Sequence, residues 1–199
     1  AQTNPVTLLC FDLLRLDAYS ATYDEWLAYC LDHEQHTYSV CMRGSRVTEL
    51  LRRGGNQDAI ELALRTMEEN ISPVNRMHVG IGLTTAGFRT GRPEARQWLE
   101  DTWELALGND ETFWLIQVAT AAAQGALLCG DAGLLDDRVL DAYERGRTND
   151  PWKQGELSAW LVRLGHDADR DATFPEPFSL EIAGDHAAAS EVWHRLGCP

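Results

Sequence analysis

Apolar residues along the chain recur at three- and four-residue spacing, the period of a helix with one face turned toward a core. Leu115, Val118, Ala119, Ala122, Gly125, Ala126 and Cys129 form one such stripe, and Leu157, Trp160, Leu161 and Leu164 form another. Each stripe runs directly into a glycine, Gly130 or Gly165, where a residue without a Cβ closes a helix at no steric cost. Sustained apolar–polar alternation rich in Val, Ile and Thr is missing from the sequence, as are Asn-Gly or Asp-Gly turns between such runs. The pattern predicts an all-α fold. Helices are expected over about 5–18, 22–34, 37–53, 56–70, 73–90, 93–107, 111–129, 135–147, 151–164, 178–183 and 186–196.

The punctuation between these helices repeats. Counting from Gly55, the glycines Gly91, Gly130 and Gly165 follow at intervals of 36, 39 and 35 residues. That is the length of two helices plus two turns. Pro73 and Pro151, each placed where a first helical turn tolerates a missing N–H, lie 78 residues apart, or two periods of 39. Short links force successive helices to lie antiparallel, and each pair keeps an apolar face that only the next pair covers. Residues 1–165 are therefore expected to form the repeats. Residues 166–177, polar and carrying Pro175 and Pro177, are expected to form a loop, and 178–199 to start a terminal, truncated helical pair.

Three stretches resemble the Gly-x-x-x-Ala entry of the second helix in a tetratricopeptide pair: Gly55 to Ala59, Gly91 to Ala95 and Gly184 to Ala188. The Trp and Tyr typical of that repeat's first helix do not accompany them. A second resemblance is more specific. The stretch Gly184-Asp185-His-Ala-Ala-Ala-Ser-Glu-Val-Trp193-His-Arg-Leu-Gly197-Cys198-Pro199 is similar to the tail of the helical-repeat region in large bacterial LuxR-type and related ATPase-containing transcriptional regulators. Asp150-Pro151-Trp152, with Gly155, Glu156, Leu157, Trp160 and Leu161, resembles their penultimate helix. The resemblance implies antiparallel helix pairs stacked as a TPR-like α-α superhelix. It also implies a sensor or interaction region that is coupled elsewhere to an ATPase or a DNA-binding module. In such proteins another helical pair follows Cys-Pro. The chain, beginning without Met and stopping at Pro199, reads as a segment of a longer protein.

Composition narrows the partners. With 199 residues and 44% hydrophobic content the chain suits one domain or one continuous array. Thirty-one acidic residues against seventeen basic ones leave a net charge of -14, which repels a phosphate backbone, so this segment is not expected to bind nucleic acid. No Gly-x-x-x-x-Gly-Lys-Ser/Thr loop occurs in it. Cys10, Cys30, Cys41, Cys129 and Cys198 are odd in number and lack CxxC spacing, which argues against a disulfide framework and for a reduced cytoplasmic compartment. No run is expected to approach the ~18 to 20 apolar residues that cross a bilayer, and no charged region followed by an apolar block is read at the start of the sequence.

Candidate chemistry is sparse. Cys30, His33 and His36 have near-helical ligand spacing, but a turn about residue 35 would break their alignment, so a polar interhelix turn is favoured over a metal site. Gly80-Ile-Gly82-Leu-Thr-Thr-Ala-Gly87 departs from the dinucleotide fingerprint in its third glycine and sits in a helical pattern, so close helix packing is expected there. Asp167, Asp169 and Asp171 lack the calcium loop's Gly and Glu, with Ala172 and Phe178 in those places. No Gly-x-Ser-x-Gly elbow is found. We therefore expect no catalytic, cofactor or metal site, and a binding module in place of an enzyme. Arg43, Arg46, Arg76, His78, Trp114 and Gln117, large or polar residues within first helices, are the candidates for a concave groove that grips a protein or peptide partner or another domain of the same polypeptide. The alternative is a small-molecule effector enclosed by helices 73–90 and 111–129, where some of the seven tryptophans would line the site.

Overall fold

A computed structural model describes residues 14–147, 150–167 and 173–198. Among the described residues the chain forms ten α-helices, one short 3-10 turn and no strand. They are α1 (Leu16–Asp32), α2 (His36–Arg52), α3 (Asn56–Met67), α4 (Pro73–Thr90), α5 (Ala95–Asn109), α6 (Thr112–Cys129), α7 (Asp137–Gly146), α8 (Pro151–Arg163), α9 (Phe178–Ala183) and α10 (His186–Arg195), with the 3-10 turn at Ala132–Leu134.

The expected pair of helices over 5–18 and 22–34 is corrected to a single helix where it is described. Most of the first falls outside the described residues, and α1 runs unbroken through the expected break. Nothing between Leu16 and Asp32 interrupts a helix, since the segment holds neither Gly nor Pro. Tyr19, at the expected break, is fully buried and donates its hydroxyl to the Met42 carbonyl at 3.1 Å, which fixes α1 on α2. In the expected loop 166–177, residues 168–172 lie outside the described residues.

Helix ends follow the punctuation. Ser72 accepts a hydrogen bond from the Asn75 N–H ahead of Pro73, and Asp150 accepts from the Trp152 and Lys153 N–H groups ahead of Pro151, so orphan donors of both first turns are satisfied. At the other end, α4 and α6 close on Gly91 and Gly130 with φ of +67° and +64°, a left-handed conformation that penalises any Cβ.

Packing joins α2 to α3, α4 to α5, α6 to α7 and α8 to α9, while α2 also touches α4, α4 touches α6 and α6 touches α8. The even-numbered helices from α2 to α8 thus form a continuous row, and α6 lies in its middle. By length and composition α6 is also apolar enough to cross a membrane, with a mean hydropathy of 1.4 over 18 residues, which corrects the expectation that no run comes close. In the fold, 61% of that helix is buried against its neighbours.

Glycines set how closely the row packs. A Cβ on Gly80 would lie 2.7 Å from the Thr102 hydroxyl of α5, one on Gly82 would run into Val47 of α2, and one on Gly87 would lie 2.9 Å from the Ala95 Cβ. The Gly80–Gly87 stretch is therefore a packing stripe on two flanks of α4. Alanine at Gly82 would gain roughly 1 kcal/mol of helix propensity but cost about 1–3 kcal/mol in overpacking against the β-branched Val47. Gly82→Ala is expected to lower the urea midpoint, whereas Gly108→Ala, with nothing within 4 Å of its Cβ, is expected to raise it. Equal shifts in the two variants would show that α2 and α4 are not in close contact.

Candidate functional site

The last turns of α2 and α4, the last third of α6 and the second half of α8 line one cavity, and α9, packed on α8, and α10, packed on α9, line its other side. Leu51, Arg52, Arg89, Gln124, Leu128, Glu156 and Trp160 supply one side of the resulting cavity, and Phe178, Glu181, Ala189 and Trp193 supply the other. Its volume is about 770 Å³. Deeper in the row lies a smaller recess of about 70 Å³, where Thr48, Thr85, Gln117, Thr120 and Lys153 meet Arg52, Arg89 and Glu156.

The α9–α10 segment is held by specific bonds. Asp185 caps α10 by accepting from the Ala188 N–H at 3.1 Å, which orients the helix so that Trp193 faces α9. The Trp193 indole N–H donates to Glu181 at 2.6 Å, its ring meets Phe178 edge-on at 5.4 Å, and the Arg52 guanidinium lies 5.8 Å from the ring centroid. Glu181 takes a second contact from Arg163 at 2.9 Å. Beyond α10, Cys198 is buried in a cluster with Leu16, Tyr19, Tyr23 and Met42, and Trp193 and Leu196 pack against that cluster. The C-terminal turn thereby rests on α1 and α2.

Charge in the cavity differs from that of the chain. Three guanidiniums, of Arg52, Arg89 and Arg163, stand on its wall against two carboxylates, of Glu156 and Glu181, in a molecule of net charge -14. Arg52 is ion-paired to Glu156. Burial works to raise the Glu156 carboxyl, but the charge and hydrogen bond of Arg52 outweigh it and hold the group below its ordinary range. Arg89 is placed differently. Its Nε donates to Gln124 at 2.9 Å and its Nη1 to the Leu51 carbonyl at 2.8 Å, both neutral oxygens, and among the described residues no carboxylate forms an ion pair with it. Burial, with the positive charge of Arg52, pushes its pKa down to about 10.

Of the six groove candidates, Gln117 lines the inner recess, with its Nε2 donating to the Phe113 carbonyl at 3.0 Å. His78 is 4% exposed, its ring 5.5 Å from that of Trp114; burial, followed by the charge of Lys153, pushes its pKa down to about 4. These two form an aromatic contact between α4 and α6. Arg43 is paired with Glu69, Arg46 with Glu49 beneath the Tyr23 ring, and the Arg76 guanidinium lies 3.6 Å from the Met67 sulfur. The structure does not bring those three arginines to the cavity. Cys30 is buried, His33 is exposed and stacked on Tyr29 at 4.0 Å, and no group of three metal-ligating side chains occurs among the described residues.

Sequence reasoning missed Arg52, Arg89, Gln124 and Glu156, whereas Trp193 is one of the seven tryptophans that it offered as lining. One signal could have found the first three, because Arg52, Arg89 and Gln124 stand 37 and 35 residues apart, the period of the glycine punctuation. Their distances to the next marking glycine differ, however: 3 residues from Arg52 to Gly55, 2 from Arg89 to Gly91 and 6 from Gln124 to Gly130. Comparisons with models of protein families, with curated proteins and with solved structures find no match to the chain.

Proposed function

We propose that the chain is a regulatory binding module, a TPR-like α-α superhelix that takes up a small-molecule effector in its cavity and serves as the sensor region of a bacterial transcriptional regulator. The stacked architecture is supported by the row of even-numbered helices, each in contact with the next, and by the matching glycine period. The regulator setting rests on the resemblance of the Gly184–Pro199 tail. Effector binding is carried by one observation: α9 and α10 form one side of a cavity of about 770 Å³, within the roughly 300–1,000 Å³ usual for small-molecule sites. An extended peptide would need an open groove along the row.

Turnover is not expected. The carboxylates on the cavity wall are engaged, Glu156 by Arg52 and Glu181 by Arg163 and the Trp193 indole, so neither stands ready as a general base. A protein partner remains the second reading, favoured by a different surface. Tyr38, Val74 and Phe113, at the starts of α2, α4 and α6, are 44%, 42% and 38% exposed and form one rim of the row.

Trp160 and Trp193 report on the cavity. A metabolite panel screened by intrinsic tryptophan fluorescence is expected to yield a saturable change with at least one compound, reduced in Trp193→Phe. A broad panel without any response removes the effector reading and leaves the rim.

A further inference from the structure

We propose that the cavity recognises an amphipathic carboxylate, an organic acid with an apolar or aromatic body, and that Arg89 is the residue that grips its carboxyl group. The inference deepens the effector reading and rests on it.

Arg89 is a cation set in the cavity wall at the end of α4. A charge taken out of water is costly unless an opposite charge meets it, and its two bonds run to the neutral oxygens of Gln124 and Leu51. One of these oxygens, the Leu51 carbonyl, also accepts from the Gly54 N–H at 3.2 Å. Nearby guanidiniums are matched, Arg52 by Glu156 and Arg163 by Glu181. Arg89 is thus the guanidinium on this wall that bonds to no protein carboxylate among the described residues; Glu156, bonded to Arg52, acts on it through its charge alone, and the N–H donors left on its fork suit the two oxygens of a carboxylate.

The stoichiometry of charge selects the ligand class. One unmatched guanidinium balances one negative charge, while a dianionic phosphate would add its second charge beside Glu156 and Glu181. On the same wall Leu51, Leu128, Trp160, Phe178 and Trp193 are available to the body of the ligand.

The test uses the full chain and matched probes: indole-3-acetate against indole-3-acetamide, octanoate against octanamide, and inorganic phosphate. An acid at about ten times its Kd is expected to raise the melting temperature by about 3–6 °C. Each amide should bind at least about tenfold more weakly, and phosphate more weakly than either acid. Arg89→Gln should erase the preference for acid over amide, Arg89→Lys should keep part of it, and Arg92→Gln, on the exposed end of the same helix pair, should leave it intact. The unliganded melting temperature of Arg89→Gln should hold or rise, because an uncompensated charge has been removed. Equal binding of acid and amide overturns the carboxylate claim while leaving an effector cavity in place. Preference for phosphate, no shift by either acid, or a fall of more than about 5 °C in unliganded Arg89→Gln also overturns it. The wider metabolite panel decides the effector reading separately.

Discussion

Truncating Trp103 to alanine is expected to cost about 3–5 kcal/mol and to lower the melting temperature by roughly 6–20 °C. The side chain is 1% exposed and is among the largest that the fold buries completely. It belongs to a core cluster with Met77 of α4, Leu99 of α5, Leu115 of α6, Val139 of α7 and Leu157 of α8, so the hole opens in a core that five helices share. The ring is also the platform for Arg138, whose guanidinium lies 5.1 Å from its centroid and is held by Glu100 at 2.8 and 2.9 Å. Alanine leaves both an apolar void and an ion pair without its floor. Phenylalanine should recover more than half of the loss. Urea titration of the two variants measures this, and a cost below about 1.5 kcal/mol for alanine would mean that the helices close over the gap.

The second large effect is an acid transition. His78 stays neutral in the fold down to about pH 4, because burial, helped by the charge of Lys153, disfavours its protonated form, whereas in the unfolded chain it takes up a proton near 6.5. The unfolded state binds more protons between those values, so stability is intact above pH 6.5 and falls as the pH drops through that window. About 2–3 kcal/mol is expected to be lost between pH 6.5 and 4.5. Below that range carboxylates held down by arginines, such as Glu69 beside Arg43 and Glu100 beside Arg138, add their own loss as they take up protons. His78→Gln should flatten the dependence between pH 6.5 and 4.5 and leave the lower limb. A slope unchanged by that substitution would assign the acid sensitivity to other groups.

Helices α4 to α8 were legible in the sequence because their ends rest on residues with few substitutes. Gly91 and Gly130 occupy backbone conformations that other residues avoid, and Pro73 and Pro151 sit one position after side chains that cap the helix. The division expected near residue 20 had no such anchor, only a weakening of the apolar pattern, and burial of Tyr19 against α2 overrides it. The cavity was harder to read. Arg89, beside Thr90 and Gly91, reads in sequence as an ordinary surface arginine at a helix end. Its surroundings come from Leu51 and Gln124, 38 and 35 residues away, and from the α10 residues on the same cavity wall. Arg43 and Arg46 show the converse. Their helical positions suggested a groove, yet each meets an acidic side chain, Glu69 from the end of α3 in one case and Glu49 from the next turn of α2 in the other.

A row of stacked units that stops in solvent melts from its tips, since the outermost unit has one neighbour to lose. Here the turn after α10 is a keystone: Cys198 and Leu196 share their burial with Leu16, Tyr19 and Tyr23, so α1 and the turn after α10 shelter one another. Peeling away the tail strips the leading helix of its cover as well, and opening at either extremity is felt at the other.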